Sequence, residues 1–65
     1  MITNGKITCF ERNKEISIGG TTYYGYSFIP VKDEGFVQGS IYIVCAEKDK
    51  FVLGEEYTLS FDAIQ

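Results

Sequence analysis

Polar and apolar positions alternate over short stretches of this chain and are cut at close intervals by glycine, the pattern of brief strands joined by turns. From Lys6 to Arg12, Ile7 and Cys9 fall on one side of an extended segment, and Lys6, Thr8, Phe10 and Arg12 on the other. Asn13-Lys14 suits a tight turn into a second short run, Glu15 to Ile18. Gly19-Gly20 comes next. Both residues reach positive φ without steric penalty, so the pair predicts a two-residue hairpin. Thr21 to Ile29 is β-branched and aromatic, with Thr22, Tyr24, Tyr26 and Phe28 on one face and Tyr23, Gly25, Ser27 and Ile29 on the other. Pro30 has no N–H to give a ladder, so that strand ends there or runs along an edge.

Lys32 to Gln38 reads as a loop with room for a single helical turn around Lys32-Asp33-Glu34. Ser40 to Ala46 is apolar on both faces, which predicts a central strand covered on both sides. Glu47-Lys48-Asp49-Lys50 is a charged turn, and Phe51-Val52-Leu53 a short apolar run closed by Gly54. Tyr57 to Ile64 alternates again, with Tyr57, Leu59, Phe61 and Ala63 inward. Ile7, Cys9, Ile41, Ile43, Leu59 and Phe61 are the expected core. No longer window keeps a helical period. Residues 1–65 therefore read as one all-β domain, a small five- to six-stranded antiparallel barrel of OB-like type, with an SH3-like barrel as the alternative. Closure removes the edges that an open sheet of this size would carry.

Composition sharpens this picture. A chain of 65 residues has room for one core and little stability in reserve, and five Tyr and five Phe supply large buried area at low rotamer cost. They are more rings than one small core hides, so a homodimer is expected, built on an edge strand or a tyrosine-bearing arm. There is no apolar run of membrane-spanning length and no basic-then-apolar leader pattern at the start, so a cytoplasmic protein is expected. Cys9 and Cys45 sit in strand patterns and read as buried thiols, a disulfide requiring that the fold juxtapose them. With no His, these two cysteines form no zinc site without carboxylates or a second chain, and no metal or cofactor is expected.

The same absence of His removes the commonest general base near neutral pH. Ser17, Ser27, Ser40 and Ser60 have no base-and-orienter pair, and the pairs Asp33-Glu34 and Glu55-Glu56 read as solvated turn charges. The chain is not expected to be an enzyme; it is expected to bind. Lys6, Phe10, Arg12 and Lys14 put cations beside a ring, and Tyr23, Tyr24 and Tyr26 follow on the glycine hairpin arm. Cations that track a backbone and rings that stack bases hold single-stranded nucleic acid. The same rings are also candidates for the core, and the sequence leaves that choice open. Six Lys and Arg against nine Asp and Glu give a net charge of −3, which argues against a wholly phosphate-gripping surface.

Three segments, Gly19-Gly20-Thr21-Thr22-Tyr23-Tyr24, Ile41-Tyr42-Ile43-Val44 and Phe51 to Leu59, give the chain a resemblance over its last two-thirds. It resembles the small OB-fold single-stranded DNA-binding proteins of the filamentous-phage gene V type. The resemblance implies a homodimer that coats single strands cooperatively, with Tyr23, Tyr24 or Tyr26 stacking. The competing reading is an acidic protein-binding inhibitor module from a phage or mobile element, acting on a host protein through tyrosine hot spots.

Overall fold

The structure, a computed structural model, describes residues 2–64. It is all-β and antiparallel, with four strands: β1 (Ile2–Ile18), β2 (Thr21–Pro30), β3 (Ile41–Cys45) and β4 (Glu56–Asp62). They form one curled sheet in the order β3-β2-β1-β4. The architecture is a half-barrel rather than a closed barrel of five or six strands. Among the described residues β3 and β4 do not meet, and no helix is long and apolar enough to cross a membrane.

β1 organises the sheet because both of its edges are used. Its first half pairs with β4, from Ile2 opposite Asp62 to Thr8 opposite Glu56. Its second half pairs with β2, from Ile7 opposite Pro30 to Ile18 opposite Thr21. The connection after Pro30 stays against β1, where Val31 N–H donates to the Lys6 carbonyl and Lys6 N–H to the Glu34 carbonyl. No helical turn forms at Lys32-Asp33-Glu34, since Asp33 takes a left-handed φ of 62°. Gly19 and Gly20, at φ 57° and 82°, make the expected hairpin turn, the twist that suits two antiparallel strands.

The Asn13-Lys14 turn does not occur. Glu11, Arg12, Asn13 and Lys14 remain in the strand, and the extra residues are taken up by two register shifts, one between Cys9 and Glu11 and one between Glu11 and Lys14. Asn13 has a positive φ of 57°, the conformation that made it read as a turn. Beside a continuous β2 that conformation produces a bulge.

Ile7, Cys9, Tyr26 and Phe28 form the buried core on the concave face. The ring of Phe51 wedges edge-on against Tyr26, Phe28 and Tyr57, with centroids 5.1, 5.0 and 5.2 Å away. Phe51-Val52-Leu53 is therefore a bend that delivers one ring, not a strand, and Val52 and Leu53 are exposed. Ile41, Ile43 and Leu59 are half-buried against the core. Two of the residues assigned inward are not buried. Phe61 is 54% exposed and Ala63 is exposed, because the half-barrel opens at that end into an apolar cleft of about 170 Å³ between Phe28, Phe36, Ile41, Leu59 and Phe61. The radius of gyration, 13.3 Å, exceeds the roughly 11 Å of a compact globule of this length. Much of the excess is the hairpin arm, where Ile16–Ile18 and Thr21–Tyr23 pair only with each other.

Cavity formation should separate the two aromatic environments. Phe28→Ala is expected to cost about 3–5 kcal/mol, most or all of the stability of so small a domain. Phe61→Ala is expected to cost under about 1 kcal/mol. Urea denaturation of both variants checks this, and comparable losses would show that the burial described for Phe28 and Phe61 is mistaken.

Candidate binding face

The seven residues singled out in the sequence do not form one surface. Tyr26 has no exposed surface, and its ring lies in the core. Its hydroxyl donates to the Glu47 carbonyl at 2.5 Å and accepts from Lys50 N–H at 3.2 Å. A ring so enclosed cannot stack on a base. Tyr24 points to the same concave face and packs, half-buried, against the core. The alternation of β2 decides both, since the neighbours Phe28 and Tyr26 need the interior and Tyr24 shares their face.

Arg12 and Lys6 are engaged within the chain. Arg12 pairs with Asp49 in the turn before Phe51, and Lys6 lies 3.8 Å from Glu34. The bulges break the alternation that would have put Arg12 in line with Lys6, Thr8 and Phe10. Asn13 completes the Arg12 contact: its Nδ2 donates to Asp49 Oδ1 at 2.7 Å and its Oδ1 accepts from Asp49 N–H at 3.0 Å. The amide of Asn13, and after it the guanidinium of Arg12, hold the Asp49 carboxyl below the usual carboxylate range. Asn13 was missed as a contact residue because its signal, tolerance of positive φ, was absorbed into the turn reading.

Phe10, Lys14 and Tyr23 remain, and the register places them on the convex face. Thr8 lies opposite Ile29, Glu11 opposite Ser27, Lys14 opposite Gly25, and Ile16 opposite Tyr23. A hydrogen bond of 3.1 Å from Ser27 Oγ to Glu11 Oε1 marks the same face. Phe10 sits in the first bulge, 53% exposed, and Ile18 and Ile29 are also exposed. Phe10 and Ile29 at one end, and Ile16, Ile18 and Tyr23 at the other, thus share a strip on the back of the hairpin; Glu11, Ser27 and Lys14 lie between the two groups, and Ile16 and Tyr23 are half-buried. On β3, Tyr42 lies opposite Ser27 and Val44 opposite Gly25. The phenol end of Tyr42 occupies the space a Cβ on Gly25 would need, so that glycine admits the ring. Cys9 and Cys45 are both free thiols, the first buried and the second half-buried.

The Asp49 contact has a pH signature. A carboxyl whose folded pKa is depressed contributes stability that is complete above its ordinary range, near about 4, and lost as pH falls through the folded value. Asp49→Asn should lower the thermal midpoint at neutral pH. At pH about 3 or below, the wild type should approach the variant as its own carboxyl protonates. Paired melting curves test this; a gap that stays constant into acid would show that the Asp49 charge contributes nothing.

No protein-family model, no curated protein and no solved structure matches this chain, so the reading of its function rests on the residues themselves.

Proposed function

We propose that the chain is a non-catalytic protein-binding module that holds its partner on the convex face of the hairpin arm. The observation that supports this reading is the strip of Phe10, Ile16, Ile18, Tyr23 and Ile29, which lies on the ladder between β1 and β2 and faces away from the core. Apolar side chains gathered on one face mark association surfaces, and Tyr and Phe are favoured anchors. The partner is a protein surface with an apolar centre and a polar rim of either sign, since Lys14 and Glu11 balance each other in the strip. The reading as non-catalytic rests on the sequence alone, which has no His to serve as a general base near neutral pH.

The single-strand reading retains Phe10, Lys14 and Tyr23. Against it stands charge: Lys6, Arg12 and Lys50 each have a carboxylate within the chain, and Lys14 is the one cation in the strip. One phosphate contact gives a log-log salt slope of only about −0.7 on single strands.

Wild type, Phe10→Glu, Tyr23→Glu and the loop control Lys32→Glu should be immobilised and compared, with circular dichroism confirming the fold of each. The expected result is that bound protein is retained by wild type and the control and lost, by at least about tenfold, with the two strip variants. Equal retention by all four removes the strip as the site. Fluorescent oligo-dT at two salt concentrations provides the second arm. No shift is expected, and a shift whose salt slope flattens in Lys14→Ala would put single-stranded nucleic acid in the protein's place.

A further inference from the structure

β3 has the composition of an interior strand and the position of an edge. Ile41-Tyr42-Ile43-Val44-Cys45 contains no charge, no proline and no glycine, yet only β2 pairs with it among the described residues. Tyr42 is 48% exposed and Val44 42%. An edge of this kind is open to strand addition, and proteins that remain single protect such edges with charge, proline or a bulge. The other edge is protected: β4 begins at Glu56, ends at Asp62 and carries Thr58 and Ser60 between them.

We propose that a second copy of this chain pairs with β3, antiparallel about a two-fold axis through Ile43, so that the two sheets join into one of eight strands. In that register Ile41 faces Cys45 of the second copy, Tyr42 faces Val44, and Ile43 faces its own counterpart. Tyr42, whose phenol end lies over Gly25 of β2, would turn toward Val44 of the second copy to form an aromatic–β-branched cross-strand pair, which occurs twice by symmetry. The flanks are compatible. Continuing the register sets Ser40 against Ala46, Gly39 against Glu47 and Gln38 against Lys48, with no like charges opposed. The same operation on β4, centred on Leu59, sets Glu56 against Asp62 twice, and like charges directly opposite repel. Pairing β3 with β4 of another copy leaves a free edge at each end and produces an open chain of molecules rather than a closed dimer. The pairing through β3 therefore satisfies the exposed strand, respects the charges and closes. It leaves the strip on the hairpin arm free, so the two surfaces are independent.

Sedimentation equilibrium at high micromolar concentration should give twice the 7.3 kDa of one chain. Val44→Lys, on the outer face of β3, should raise the dissociation constant at least about tenfold with an unchanged circular dichroism spectrum. Thr58→Lys on β4 should leave the dimer intact. Should Val44→Lys fail to fold, hydrogen exchange on the wild type decides: amides of residues 41–45 should slow as concentration rises, and those of residues 56–62 should not. A wild type that stays monomeric, a mass that climbs without limit, a dimer that survives Val44→Lys, or concentration-dependent protection on β4 alone would each overturn the proposal.

Discussion

A phenol with no exposed surface must find partners for its hydroxyl inside the fold, and Tyr26 finds them in the turn between β3 and β4. An unmatched hydroxyl there would cost about 1–3 kcal/mol. The Glu47 carbonyl and Lys50 N–H answer it, and in doing so fix that turn against the middle of β2. The rest of the open end follows. With Lys50 held, Phe51 is delivered edge-on to Tyr26, Phe28 and Tyr57. With Asp49 held, Arg12 and Asn13 have a partner across the sheet. A core of four buried side chains is thus extended by a polar bracket at its rim.

Three of the six basic side chains are likewise engaged within the chain. Arg12 is consumed by Asp49, Lys6 lies against Glu34, and Lys50 lies against Glu47. Exposed pairs of this kind add little to stability. Their consequence is electrostatic: each of these three cations has its field largely cancelled at a distance by its own neighbour.

The sequence disclosed the elements better than their arrangement. The hairpin at Gly19-Gly20, the strand from Thr21 to Ile29 closed by Pro30 and the charged turn 47–50 were legible because each depends on local chemistry: positive φ, β-branching, a proline, four adjacent charges. The inward parity of Ile7, Cys9, Tyr57 and Leu59 was legible for the same reason. Asn13 was ambiguous in principle, since left-handed φ serves a turn or a bulge alike, and only a long β2 beside it selects the bulge. Phe61 was misplaced because alternation gives a face and says nothing about how far the core extends along it. Of the candidate residues, the exposure of Phe10 was legible through its polar neighbours, while Tyr26 and Tyr24 were not distinguishable from Tyr23 without knowing which face of β2 the interior takes. Arg12 was lost to a partner 37 positions away, a distance no local pattern spans.

The two bulges of β1 also set how the chain tolerates changes in length. Elsewhere in a strand, losing one residue turns every later side chain to the opposite face. At a bulge the surplus residue can be removed and the ladder becomes regular, with Glu11 still opposite Ser27 and Lys14 still opposite Gly25. The second bulge is not expendable in this way, because Asn13 grips Asp49. The first holds only Phe10, a side chain outside the core. At that point the chain can lose one residue while keeping the same interior, the difference appearing only in the bend of the sheet and in the side chains its back presents to solvent.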